Sequence, residues 1–194
     1  MIYSDLHRFI NIEPLYTERL VLRRLTKSDL EDVYAYCSDP EVSKYLLWSP
    51  HESLATTRQY LRTVDRKYRC AEFYDWGVEY AGHIIGTCGF TSFSILDDSA
   101  QIGYVLGSAY WGRGIATEML KRVIRYGFEE LALNRIEGRF MRENEASLAV
   151  MRKCHMSLEG IHRDELFVKN KYRDIGVCAI TRAEFEHLTA LGNF

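Results

Sequence analysis

The chain of 194 residues carries 25 Lys and Arg against 27 Asp and Glu, with 47% apolar and 27% charged residues. That usage fits one globular domain over residues 1–194, long enough to bury a substantial core. A formal net charge of −2 gives no electrostatic case for nucleic acid or an anionic membrane, and no apolar run is long enough to span one.

The opening "MIYSDLHRFINIEP" has no apolar leader segment or cleavage site. Cys37, Cys70, Cys88, Cys154 and Cys178 are scattered and never spaced as C-x-x-C. They predict reduced thiols in a cytoplasmic protein, with no disulfide frame and no metal site.

In chain order, "RLVLRRL" (19–25) alternates and predicts a strand. Thr26 with Asp29 forms a capping box for a helix through Cys37, which must stop before Pro40. Residues 41–53 predict a short helical turn broken at Pro50. Ser53 then caps a helix with Leu54, Leu61, Val64 and Tyr68 on one face. Strands over 73–80 and 83–93 flank Ala81–Gly82, a hairpin signal, and 100–106 returns as a third strand of an antiparallel meander.

A second amphipathic helix carries Ile115, Leu120, Val123, Ile124, Phe128 and Leu131 and is predicted to end at Asn134. A strand over 135–140 and a short helix over 144–154 follow. Strands over 159–168 and 172–180 flank the turn Lys169–Lys171, and Thr181-x-x-Glu184 caps a last helix.

The segment "AYWGRGIATEML" (109–120) places Gly112 and Gly114 at the mouth of a helix. Gly-x-Gly there lets a ligand approach the backbone closely, and helix N-termini favour phosphate. A P-loop is excluded, because no G-K-[ST] follows. A dinucleotide fingerprint is opposed by Thr117 at its sixth position and by the antiparallel meander upstream. Without a second signal, the glycines could equally serve only to turn the chain into the helix.

The second signal stands about thirty residues downstream. "GYVLGSAYWGRGIATEML" followed by "ENEASLAVMRKCHMSLEG" resembles the GNAT superfamily of acyl-CoA-dependent N-acetyltransferases. The likeness is greatest to the branch of ribosomal-protein N-terminal (RimJ/RimL-like) acetyltransferases. It runs from "TERLVLRRLTKSDLEDV" through "YRDIGVCAITRAEF". The family's pyrophosphate motif, Q/R-x-x-G-x-G/A, falls on Trp111, Gly114 and Ala116, with Trp in place of Gln or Arg. Its N-x-x-S-x-x-x-x-x-K pattern falls on Asn144, Ser147 and Lys153, and His155–Met156 replaces the usual Gly-Phe.

The resemblance implies an α+β fold with a mostly antiparallel twisted sheet, splayed at the acyl-CoA site and flanked by helices. It implies acetyl-CoA as co-substrate, no metal, and a protein acting as monomer or homodimer on an amine acceptor. Backbone amides of Gly112, Arg113, Gly114, Ile115, Ala116 and Thr117 would surround the pyrophosphate, while Arg113 could instead be a solvated surface residue. Tyr104, Val105 and Leu106 would bond the pantetheine arm through their backbone. Asn144 would reach the same arm, although its residue type also suits a helix N-cap.

Direct attack of a neutral amine on the thioester needs orientation, an oxyanion donor, a proton sink and a proton for the thiolate. The amide of Val105 is the expected oxyanion donor and Ser147 the expected acid. Many relatives carry Glu where this chain has Gln101. Glu79, Asp164 and Glu165 remain as base candidates, with Glu79 placed first. Tyr45, Trp48, His51 and Tyr172 are the expected acceptor contacts, Trp48 being equally suited to the core. A non-catalytic acyl-CoA sensor stays open at this point.

Overall fold

The computed structural model describes residues 12–69 and 74–194. Cys70, the first residue of the strand expected over 73–80, and most of the opening segment lie outside the described residues.

The strands are β1 (Leu15–Tyr16), β2 (Leu20–Arg23), β3 (Tyr74–Tyr80), β4 (His83–Ser94), β5 (Ser99–Leu106), β6 (Arg135–Met141), β7 (Ser157–Val168) and β8 (Lys171–Thr181). The helices are α1 (Leu30–Cys37), α2 (Pro40–Ser43), α3 (Leu54–Arg69), α4 (Ile115–Glu129), α5 (Glu145–Lys153) and α6 (Arg182–Ala190). The strands form one sheet in the order β1-β2-β3-β4-β5-β6-β8-β7, matching the expected mixed, mostly antiparallel architecture. Among the described residues only β5 and β6 pair in parallel. The two-residue β1 carried no sequence signal.

Local chemistry sets most of the boundaries. The Thr26 amide donates to the Asp29 carboxylate at 2.6 Å, closing the box that starts α1 through a short 3-10 turn. Thr181 and Glu184 do the same for α6, at 2.8 Å. Ala81 and Gly82 both have positive φ (51° and 85°), the geometry of a two-residue hairpin. Lys169 and Asn170 repeat it between β7 and β8 (50° and 59°), so Lys171 already belongs to the strand.

The end of α4 departs from expectation by a full turn. Helix α4 ends at Glu129 rather than Asn134, because Ala132 takes a left-handed φ of 56° and the Leu133 amide bonds the Gly127 carbonyl at 3.0 Å. The apolar period runs on through Leu131 and Leu133, which are buried from outside the helix.

Helices α4 and α5 cover one face of the sheet, where the Trp76 ring meets Tyr126 edge-on at 5.3 Å and Phe90 beside it. Trp76, Phe90, Ile124 and Ile136 are almost fully excluded from solvent there. Burial of such side chains stabilises by roughly 1.5–3 kcal/mol each. Helices α1 and α3 cover the other face. The Ile84 amide donates to Asp32 of α1 at 2.9 Å, and the Tyr68 hydroxyl of α3 donates to the Asp75 carbonyl at 2.7 Å.

The parallel pairing of β5 and β6 sets up the site. It runs from Ser99 opposite Arg135 to Ile102 opposite Gly138 and then stops. Beyond Gly103, β5 continues only with β4, and β6 continues only with β8. A wedge opens between them through the middle of the sheet.

Candidate acyl-transfer site

The wedge is part of a cavity of about 640 Å³. Gly103 to Leu106 of β5 form one side, Arg139 and Phe140 of β6 the other, and Asn144, Ser147 and Met151 of α5 lie behind. Gly112, Gly114 and the first turn of α4 also line the cavity, as do Glu41, Val42, Lys44, Tyr45 and Leu46.

Gly112 and Gly114 have φ of 74° and 77°, the left-handed region where a Cβ is unfavourable. A Cβ on Gly112 would meet no heavy atom within 4 Å, and one on Gly114 only Arg19 Nη2 at 3.6 Å. Protein packing therefore does not require glycine here. The conformation does, and the space above it is open. Gly114 is the N-cap of α4 and has no side chain to satisfy the first-turn amides, which leaves an anion-binding concavity. A diphosphate fits this cradle.

Of the expected cofactor residues, Tyr104, Val105, Leu106, Gly112, Gly114, Ile115, Ala116, Thr117, Asn144 and Ser147 all line the cavity. Arg113 does not: its guanidinium lies over the Tyr110 ring at 5.6 Å. The Arg113 carbonyl accepts from Arg19 Nη1 at 3.1 Å. Arg19 also bridges to Glu118 (Nη2 to Oε2, 2.6 Å), which accepts from the Thr17 hydroxyl at 2.6 Å. Burial would raise the Glu118 pKa, but the bonds from Thr17 and Arg19 outweigh it and hold the carboxyl below its ordinary value. This brace behind the glycine turn joins residues about a hundred positions apart, so no local pattern announces it.

The backbone of β5 corrects the expected oxyanion donor. Val105 pairs with Thr87, its carbonyl lies against Gly86, and the Gly107 amide two residues on donates to the Ile85 carbonyl at 2.8 Å. Alternation along an antiparallel pair therefore turns the Val105 amide toward β4. Tyr104 and Leu106 face the wedge instead. The Leu106 carbonyl accepts from the Trp111 indole at 2.8 Å, which gives the tryptophan of the motif a structural task.

Asn144 is an N-cap, its Oδ1 accepting from the Ser147 amide at 3.1 Å. Ser147 Oγ lies 2.8 Å from the Tyr104 hydroxyl. Glu79 is elsewhere: Arg23 Nε donates to it at 2.6 Å, Arg23 also pairs with Asp29 at 2.9 Å, and Glu79 does not line the cavity. Its position on β3 carried no sign of that partnership.

Among the acceptor candidates only Tyr45 lines the cavity, with the Lys44 ammonium 5.6 Å from its ring. Trp48 is half-buried, packing against His51 (ring centroids 5.7 Å apart) and against the edge of the core. His51 Nδ1 meets the Thr57 hydroxyl at 2.9 Å, and burial lowers its pKa. Tyr172 is exposed against Phe167 in the β7–β8 hairpin. The hairpin nevertheless reaches the cavity's border, because Lys169 Nζ donates to the Ser43 carbonyl of α2 at 2.6 Å. Glu165 bonds Arg139 of the cavity wall and is not itself in the lining.

Residues 19–157 match the acetyltransferase (GNAT) domain family. The chain is 34% identical over 176 residues to the uncharacterized N-acetyltransferase p20 of Bacillus licheniformis, covering 90% of this chain and 99% of that one. It is 26% identical over 166 residues to the spermidine N(1)-acetyltransferase of Escherichia coli, covering 86% of each. The solved structure of a GNAT-family acetyltransferase from Bacillus anthracis superposes with a TM-score of 0.79 at 28% identity, covering 89% of this chain and all of that one. Among the described residues no helix is long and apolar enough to cross a membrane. With the splayed sheet and the glycine turn beside it, these matches make the chain a member of the GNAT family of acetyl-CoA-dependent acetyltransferases.

Proposed function

We propose that the protein transfers the acetyl group of acetyl-CoA to a primary α-amine, at the N-terminus of a protein or peptide or on a small molecule of similar basicity. The observation that carries this reading is the wedge between β5 and β6 meeting the glycine turn at one end. The turn and the amides of residues 115–117 take the pyrophosphate. The backbone groups of Tyr104 and the Leu106 amide, which face the wedge, take the pantetheine arm, the Leu106 carbonyl being held by the Trp111 indole, and the thioester then lies beside Ser147.

The amine nitrogen attacks the carbonyl carbon, the C–N bond forms and the C–S bond breaks. A Tyr104 or Leu106 amide facing the wedge stabilises charge on the carbonyl oxygen, replacing the Val105 donor. Ser147 donates its hydroxyl hydrogen toward the departing sulfur. The proton lost by the attacking amine goes to solvent, and the thiolate recovers one to leave as free thiol.

Acceptor class follows from the carboxylates. Glu41 is the one carboxylate among the lining residues, and Lys44 sits 3.4 Å from it. A strong base adjoining the thioester is missing from that lining. At pH 7 about 17% of an α-amine with pKa near 7.7 is neutral, against about 0.04% of a lysine with pKa near 10.4. A weak or water-mediated base serves the first and not the second. A polyamine, a polycation, also finds no unpaired carboxylate in this lining.

The test is free-thiol release over a panel of amines, with peptides blocked at the N-terminus competing against peptides blocked at lysine and against spermidine. Predominant α-acetylation is expected. Predominant ε-acetylation, or turnover of spermidine alone, overturns the acceptor class.

A further inference from the structure

We propose that Tyr104 is a positioning residue for acyl transfer, whose phenol donates to Ser147 Oγ and so turns the serine's own hydrogen toward the departing sulfur. This rests on the role given to Ser147 above. Tyr104 projects from β5 and Ser147 from the first turn of α5, two elements that both line the cavity. The phenol oxygen lies 2.8 Å from Ser147 Oγ and 3.1 Å from the Ser147 carbonyl oxygen. The first distance is ordinary for an O–H···O bond and the second is long.

Each hydroxyl has a single hydrogen to give. In one arrangement Ser147 donates to the phenol, the phenol donates to the carbonyl, and no hydrogen faces the cavity. In the other the phenol donates to Oγ, and the Ser147 hydrogen is released into the cavity. Negative charge growing on sulfur selects the second. The backbones that carry the two oxygens are both fixed. Tyr104 stands between Gly103 and Val105, which pair with Gly89 and Thr87 of β4, and the Ser147 amide is anchored by Asn144 Oδ1.

The surroundings keep the phenol a donor. Burial raises its pKa above the usual tyrosine value, the bond to Ser147 lowers it by less, and the thiols of Cys154, Cys88 and Cys178 raise it further. Tyr104 therefore stays protonated wherever the enzyme works, and it serves as a fixed hydrogen-bond donor rather than as a base. No proton leaves it during turnover. Sequence reasoning assigned Tyr104 only a backbone role, because the facing serine is 43 residues away.

The experiment is a double-mutant cycle of Tyr104→Phe and Ser147→Ala, measuring kcat, KM for acetyl-CoA and equilibrium CoA binding for all four proteins. Tyr104→Phe should lower kcat about 2–10-fold, the worth of one neutral hydrogen bond, with CoA affinity nearly unchanged. In the Ser147→Ala background it should have no further effect, because there is no serine hydrogen left to aim. An equal loss in both backgrounds would show a general structural role and overturn the proposal. So would an unchanged kcat in the Tyr104→Phe single variant. If Ser147→Ala itself leaves kcat intact, the serine's role fails and this proposal with it; impaired Ser147→Ala with additive Tyr104→Phe removes only the proposal.

Discussion

Arg19 and Glu118 are joined by a 2.6 Å ion pair that ties the segment before β2 to the first turn of α4. Arg19 also donates to the Arg113 carbonyl, so one guanidinium holds both the helix start and the turn between the two glycines. Arg19→Ala should loosen that turn and weaken acetyl-CoA binding about 5-fold. This corresponds to roughly 1 kcal/mol for a charged hydrogen bond at a partly exposed site. Titration calorimetry reads it directly, with Tm changing little.

Gly114→Glu should abolish measurable acetyl-CoA binding, since it puts volume and negative charge in the cradle proposed for the pyrophosphate and forces a left-handed φ of 77° on a side chain. Gly160→Ala is the matching control. A Cβ there meets nothing within 4 Å, and its φ is not positive. Wild-type affinity in the Gly114 variant would remove the phosphate cradle from the site.

Gly127 looks like a harmless mid-helix glycine in the sequence, and the structure says otherwise. A Cβ there would stand 2.7 Å from Ile136 Cδ1 and 2.8 Å from Phe90 Cζ, both in the core. Overpacking costs about 1–3 kcal/mol and outweighs the roughly 1 kcal/mol helix-propensity gain of alanine. Gly127→Ala should therefore lower the denaturation midpoint while leaving CoA affinity of the folded protein near wild type.

Ser147→Ala should lower kcat by about 10²-fold with KM for acetyl-CoA near wild type, because the lost interaction acts only on charge developing at sulfur. Asn144→Ala should mainly raise that KM. It also removes an N-cap worth about 1 kcal/mol, so thermal melting belongs beside the kinetics.

Asp75 supplies a pH dependence. Burial lifts its pKa to about 7, against smaller lowering effects of the Thr87 hydrogen bond and of Lys67. Between about pH 4 and 7 the unfolded chain has released this proton while the folded protein keeps it, so stability falls as pH rises through that window. Above about 7 the effect is complete. Asp75→Asn should flatten that part of a Tm-versus-pH profile; an unchanged slope would reject the assignment.

What the sequence revealed was local. Capping boxes at Thr26 and Thr181, the Ala81–Gly82 hairpin and the glycine turn are each written within a few residues, and each stands where its chemistry predicts. The residues proposed for the cofactor end come together for the same reason, since Gly112 and Gly114 to Thr117 are nearly consecutive, and of that stretch Arg113 alone turns away from the cavity. Long-range partners were not. Glu79 depends on Arg23 of a neighbouring strand, and Arg19 on a helix start about a hundred residues away. The direction of the Val105 amide depends on strand register, which alternation in the sequence alone does not fix. The true end of α4 was hidden by apolar residues that continue past the helix into buried connecting chain.

On the proposed mode of binding, the parting of β5 and β6 would also make acetyl-CoA a structural component. Four paired residues on each strand join the two halves of the sheet before the ladder stops. The backbone groups of Tyr104 and Leu106 that face the gap find no strand across it, and the indole of Trp111 takes up only one carbonyl. An amide-bearing chain lying in the gap would act there as a removable splint. Mass action would then add about 2.7 kcal/mol of stability at a hundredfold excess over Kd. The cell's acetyl-CoA level would thereby set the enzyme's resistance to unfolding as well as its rate, and desulfo-CoA should protect the fold without supporting any chemistry.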